Sequence, residues 1–175
     1  GIRAGVVSRG YGGSPSAQPM VVSGSSLVSA CGDEAVLIAQ RTGCPCVVGH
    51  SRPAAVQKLL QEFQVDVIIT DDGLTHYVPD RDMELISYVA QAGFGNGRCL
   101  PAGPLREPLT RLEQADFLLA RGVDSNDLGI EYRCDALVNL HTGASLPPSG
   151  EALGPAVYAV AGLGRPALFL SMLAA

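Results

Sequence analysis

Residues 65–85 read VDVIITDDGLTHYVPDRDMEL. An apolar, β-branched run stops on two adjacent acids, Asp71 and Asp72, with a glycine and then a histidine behind them. A short continuous apolar run of this kind reads as a strand buried on both faces of a parallel sheet. Two neighbouring carboxylates repel and each prefers water, so their place at the strand's end needs a solvated turn or a cation. Both readings are open from this segment alone. Asp-Gly ends many strands as a plain turn, and an apolar strand delivering acids to Mg²⁺ is one of the parts phosphoryl transfer requires.

Outward from this strand, elements alternate. Ala4–Ser8 reads as a short strand running into the glycine-rich RGYGG, and residues 14–30, rich in serine and proline, as an exposed connection. GDEAVLIAQRTG, residues 32–43, carries helix punctuation at both ends, with Asp33 as N-cap and Gly43 as the stop. CPCVVG is a β-branched strand. SRPAAVQKLLQEF, residues 51–63, is the clearest amphipathic helix: Val56, Leu59, Leu60 and Phe63 share a face and Ser51 is placed to cap it. MELISYV and ADFLLA supply two more strands, with LTRLEQ a short helix between them.

Strands alternating with helices predict an α/β fold: an open, mostly parallel sheet with flanking helices. Ligands of such sheets gather at the carboxyl ends of the strands, where Ser8, Asp71 and the loop beginning near Gly93 all fall. The first domain is expected to cover residues 1–122. Beyond it come a polar linker, the half-exposed strand EYRCDALVNL, a loop, and a strand and helix in AVYAVAGLGRPALFLSMLAA, so residues 123–175 read as a linker and the start of a smaller α/β domain.

Composition narrows the function. A chain of 175 residues with 47% hydrophobic content has the material for a packed core. Its net charge of −5 and lack of a basic stripe argue against nucleic acid as a partner. The five cysteines lack the paired spacing of a zinc site and read as reduced thiols. Of the twelve basic residues only Lys58 is a lysine, and it lies inside the amphipathic helix.

Three further features bear on chemistry. Asp33 and Glu34 stand at a helix start, where carboxylates also serve simply as caps. FGNGRCLPAGPLREP, residues 94–108, is too rich in glycine and proline for regular structure; in it Arg106 is a candidate anion clamp or the partner of Glu107 in a surface ion pair. His76 is either a site residue or a hydrogen-bonded structural histidine.

Taken in order, GVVSRGYGG, GDEAVLIAQRTGCPCVVG, DDGLTHY and GFGNGRCLPAGPLREPLTRL closely resemble the tetraacyldisaccharide 4'-kinases, the lipid A 4'-kinases of Gram-negative bacteria. The similarity covers residues 3–122 and continues weakly through VAGLGRP. It implies a P-loop NTPase-like fold and transfer of the γ-phosphate of ATP, with Mg²⁺, to a tetraacylated glucosamine disaccharide at the cytoplasmic face of the inner membrane. It further implies Asp33 as the base toward the 4'-hydroxyl, Glu34 beside the metal and nucleotide, and Asp71 and Asp72 as magnesium ligands. His76, Arg9, Arg52 and Arg106 fall at the family's polar motif positions: His76 in the catalytic group, Arg106 at the nucleotide, Arg9 and Arg52 toward substrate.

Thr75 replaces the glutamine usual in the family's DDGxQH. No G-x-x-x-x-G-K-[ST] occurs among the residues, and neither does the family's later Asp-His-His segment. The resemblance therefore implies a central portion of the enzyme, without a membrane anchor and inactive alone. The alternative is a non-catalytic remnant that binds nucleotide or lipid.

Overall fold

The computed structural model describes every residue except 15–17, 75–79, 123–127, 132–133, 149–157, 163–165 and 175. The chain divides into two compact units: Gly1–Ile86 together with Gln114–Asp116, and Ser87–Glu113 together with Phe117–Ala175.

The first unit is built on β1 (Ala4–Ser8), β2 (Met20–Val22), α1 (Val28–Cys31), α2 (Asp33–Thr42), β3 (Cys46–Val48), α3 (Arg52–Glu62) and β4 (Val67–Thr70). Its sheet has the order β2-β3-β1-β4. β3, β1 and β4 run parallel, with Val6 opposite Cys46 on one side and Ile69 on the other, while β2 joins β3 antiparallel.

Strand alternation sorts the apolar residues onto two faces. Val6, Val22, Cys46 and Val48 pack with Cys31, Ala35 and Val36 of α1 and α2. Val7 and Val47 pack with Ala55 and Leu59 of α3 on the opposite face. Leu59 is fully buried, which stabilises the fold by about 1.5–3 kcal/mol relative to an exposed side chain. Burial raises the Cys46 thiol to about 11, so this cysteine is an inert core residue at neutral pH.

α3 forms where its sequence predicts, with the Ser51 Oγ accepting a hydrogen bond from the Ala54 N–H at 3.4 Å and a proline in its first turn. Of the expected apolar face, however, only Leu59 is buried: Val56 and Phe63 are half-buried and Leu60 is exposed, Ala55 and Arg52 being buried instead. The serine- and proline-rich segment differs from the expected bare connection, because it contains β2 and α1. β4 also differs. It lies at an edge of its sheet, with Val67 42% and Ile69 53% exposed, so it is not buried on both faces; only the side carrying Ile68 packs against the core.

The amino ends of β1 and β4 are tied together by Arg3, whose guanidinium donates to both carboxylate oxygens of Asp66, at 3.0 and 2.7 Å. Hydrogen bonds from the Arg3 side chain and backbone hold the Asp66 carboxyl down at about 2. A depressed folded pKa contributes stability that is present above the unfolded value and lost as pH falls through the folded one. The urea midpoint is therefore expected to drop between about pH 4 and pH 2. Asp66→Asn should flatten that part of the profile, and an unchanged slope in the variant would count against the tie.

In the second unit, β5 (Leu85–Val89), whose first two residues belong to the first unit, heads a sheet of order β5-β6-β7 with β6 (Phe117–Arg121) and β7 (Gly129–Ile130). LTRLEQ is a 3-10 helix, Leu109–Gln114. Of the expected strand EYRCDALVNL, only Leu137–Val138 forms one among the described residues: β8, paired antiparallel with β9 (Ser145–Leu146). The final helix α4 spans Pro166–Ala174, and residues 158–162 ahead of it form no strand. No helix among the described residues is long and apolar enough to cross a membrane.

Candidate active site

Parallel pairing aligns the carboxyl ends of β1, β3 and β4, so Ser8, Gly49 and Asp71 come to one edge of the first unit. The Ser8 Oγ, buried, donates to Oδ2 of Asp71 at 3.1 Å, and the Asp71 N–H continues the ladder by donating to the Val7 carbonyl at 3.0 Å. Asp72 follows with φ +47°, a left-handed conformation that a non-glycine residue seldom adopts. Among the described residues no basic group lies within ion-pairing distance of either carboxylate.

Arg52 opens α3 and is 4% exposed. Its Nη2 donates to the Asp71 carbonyl at 2.6 Å, whereas Nε and Nη1 have no hydrogen-bond partner among the described residues. Burial lowers the pKa of Arg52, opposed by the charges of Asp71 and Asp72 and reinforced by that of Arg9. Arginine remains protonated in proteins, so this is a buried cation with two idle donors, an arrangement costly without an acceptor.

Beyond Ser8, Arg9 is exposed and the loop turns back through Gly10 and Gly12, both with positive φ. It then lies against the junction of α1 and α2, where the Ser14 N–H donates to the Ser29 carbonyl at 2.9 Å. Gly32 sits at this junction with φ +84°, and a Cβ there would collide with the Tyr11 carbonyl. Gly32, rather than Asp33, is the N-cap of α2. Asp33 is displaced one position into the helix because only glycine accepts both that dihedral and that crowding. Gly32→Ala is expected to lower stability by about 1–3 kcal/mol, measured by denaturant unfolding. A loss below about 0.5 kcal/mol would mean that the junction relaxes freely.

Asp33 and Glu34 are exposed in the first turn of α2, with Oδ1 of Asp33 accepting from the Glu34 N–H at 3.0 Å. Both carboxylates thus lie at the positive end of the helix dipole. The contacts run in sequence from Asp71 to Ser8, through the glycine loop to Gly32, and so to Asp33. Among the candidates Ser8, Arg9, Asp33, Glu34, Arg52, Asp71 and Asp72 are all in the first unit. His76 lies outside the described residues.

Arg106 belongs to the second unit and is exposed. Glu107, considered above as its partner, pairs instead with Arg111 at 3.4 Å. The loop before Arg106 is ordered by its own backbone: Asn96 Nδ2 donates to the Ala102 carbonyl at 2.8 Å, the Leu100 N–H to the Leu105 carbonyl at 2.8 Å, and Tyr88 stacks on Phe94 with centroids 5.0 Å apart.

Arg81 was not anticipated from the sequence. Its Nη1 donates to the Gly73 carbonyl at 2.8 Å and more weakly to that of Leu74 at 3.4 Å, and its Nη2 pairs with Glu84 at 2.6 Å. Bonds to main-chain carbonyls leave no residue-type signature at the receiving positions, so spacing could not have revealed them.

The donor set suits Mg²⁺. No cluster of three or more His, Cys, Asp or Glu occurs among the described residues, but Mg²⁺ is commonly held by one or two carboxylates, with waters and phosphate oxygens completing its shell. Two neighbouring carboxylates and a serine hydroxyl at a strand terminus meet that requirement.

The family model described as tetraacyldisaccharide-1-P 4'-kinase matches residues 1–175. The chain belongs to that family. A tetraacyldisaccharide 4'-kinase of Pseudomonas aeruginosa (strain LESB58) is 46% identical over 178 residues, covering 100% of this chain and 54% of the relative. That of Pseudomonas fluorescens (strain SBW25) is 47% identical over 176 residues, covering 99% of this chain and 52% of the relative. Among solved structures, the crystal structure of the "apo" form of LpxK from Aquifex aeolicus in complex with ATP matches with a TM-score of 0.75 and 26% identity, over 99% of this chain and 58% of that one. The kinase-family chain therefore spans about half the length of the curated relatives it matches. The α/β architecture of mostly parallel strands with flanking helices agrees with that of the ATP-bound family structure.

Proposed function

We propose that the protein carrying this segment transfers the γ-phosphate of ATP to the 4'-hydroxyl of a tetraacylated glucosamine disaccharide, at the cytoplasmic face of the inner membrane. The observation that carries the reading is the edge where Ser8 meets Asp71 and the glycine loop packs on the start of α2. It gathers acids, arginines and an exposed helix-start aspartate in one unit of a chain whose relatives are named for this reaction.

In this proposal Asp33 accepts the proton of the attacking hydroxyl, and its exposure leaves it open to a sugar. Glu34 stands beside it toward nucleotide and metal. Asp71 and Asp72 hold Mg²⁺, which when bound screens phosphate charge during transfer. Arg52 turns its two idle nitrogens to an anion, while Arg9, exposed just past Ser8, binds phosphate or substrate. Arg106 supplies a further guanidinium to the nucleotide, and His76 joins the catalytic group.

The test is to express the longer protein and incubate it with Mg-ATP and the lipid disaccharide, scoring the phosphorylated product by mass spectrometry. Product is expected from the longer protein. None above a protein-free control is expected from residues 1–175 alone, whose sequence has no P-loop lysine to hold the phosphates. Nucleotide or lipid binding by the longer protein without turnover would instead favour a non-catalytic remnant.

A further inference from the structure

The turn that presents the two acids is held from behind. Its carbonyls at Asp71, Gly73 and Leu74 all receive guanidinium hydrogen bonds, the first from Arg52 and the other two from Arg81. The turn needs such support: Asp72 has φ +47°, and a Cβ at Gly73 would collide with the Thr70 Oγ1. A left-handed aspartate beside a second aspartate is strained in its backbone and repelled in its charge, so an unrestrained loop would rotate the carboxylates apart.

Arg81 is itself fixed. Its side chain is 18% exposed and that of Glu84, its ion-pair partner, 13%. The Glu84 N–H donates to Oδ2 of Asp116 at 2.7 Å, and the Asp116 N–H returns to the Glu84 carbonyl at 3.0 Å. The order Asp116, Glu84, Arg81, Gly73 is thus a braced strut lying wholly within the first unit. Because at the turn this guanidinium holds carbonyls and not the carboxylates of Asp71 and Asp72, it restrains the turn without competing for the oxygens a cation would use. A guanidinium on the carboxylates themselves would have occupied them.

We infer that Arg81, braced by Glu84, is a positioning residue: it fixes the carbonyls of Gly73 and Leu74 so that Asp71 and Asp72 present their carboxylates together to a divalent cation. The inference rests on the cation reading of those acids given above.

The experiment uses the 175-residue chain with Mn²⁺ as the probe, following free Mn²⁺ by electron paramagnetic resonance and amide exchange at Asp72–Leu74 by mass spectrometry. Wild type is expected to bind Mn²⁺ in a manner lost in Asp71→Asn. Arg81→Met should weaken that binding about tenfold and speed exchange in the turn, with β1 and α3 unchanged. Arg81→Lys should recover part of the affinity, since an ammonium can still reach one carbonyl but cannot fork between a carbonyl and Glu84. If Arg81→Met proves unfolded by circular dichroism, Glu84→Gln, which removes the charge that braces Arg81, is expected to give a smaller loss of the same kind.

Wild-type binding matched within twofold by Arg81→Met, or in its place by Glu84→Gln, overturns the inference and leaves the cation reading standing. No uptake by the wild-type chain sinks the cation reading and the inference with it. A purely structural Arg81 would lower the melting temperature without changing the Mn²⁺ affinity of the folded fraction, which also overturns it.

Discussion

In the kinase proposed above, Asp33→Ala is expected to lower kcat by about 10²–10⁴-fold while leaving KM for ATP near its wild-type value. A base acts on the proton in flight, so its removal is felt in the transition state and scarcely in ground-state binding of the nucleotide. The geometry supports a clean experiment. Asp33 is exposed, among the described residues its side chain accepts a hydrogen bond only from the neighbouring Glu34 N–H, and the cap of α2 is Gly32, so alanine at this position should not unravel the helix. Had Asp33 been the N-cap, its loss would have mixed a stability penalty of about 1 kcal/mol with the kinetic effect. Near-normal kcat in Asp33→Ala would require another base.

Asp71→Ala and Asp72→Ala are expected to behave differently, raising the Mg²⁺ concentration for half-maximal rate and lowering turnover by about 10²–10³-fold, the equivalent of several kcal/mol of lost charge stabilisation. Asp71 is also held by the Ser8 hydroxyl, so Ser8→Ala should reproduce only a small part of its effect, on the order of the 1 kcal/mol typical of a single hydrogen bond. Rate measured against Mg²⁺ at saturating ATP separates these outcomes. If the acid variants kept the wild-type Mg²⁺ dependence, the two aspartates would be only a turn.

What could be read from the residues followed their physical periodicity. Apolar spacing and Ser51 located α3, and the run ending in Asp71 located β4 and the edge where the acids stand. β2 escaped because three residues, Met20–Val22, sit in a serine- and proline-rich segment and take their strand geometry from pairing with β3, a long-range contact with no local signature. The burial of β4 differs for a related reason: Val67 and Ile69 are as apolar as core residues, but the cluster that α1 and α2 build on their face takes in β1, β2 and β3 and stops short of β4, which nothing local to residues 67–70 reveals. Asp33 looked like a cap because Asp is a favoured capping residue. The cap went to Gly32 because the neighbouring Tyr11 carbonyl left no room for a side chain, which depends on a loop twenty residues earlier. Arg52 and Arg81 act through main-chain carbonyls, which every residue carries, and so their partners were invisible in the sequence.

The tie between Glu84 and Asp116 also bears on synthesis. The strands of the first sheet are complete once Thr70 has been made, yet the unit takes its last three residues from Gln114–Asp116, after the loop that leads to Arg106. A ribosome adding about 5–20 residues per second needs about 2–6 s to go from Ile86 to Asp116. Until Asp116 is available, the first unit lacks the carboxylate that anchors Glu84, and the acid turn lacks the far end of its strut. A stalled or truncated chain ending before Asp116 would therefore carry all the site's acids in the first unit but not the anchor that holds their turn in place.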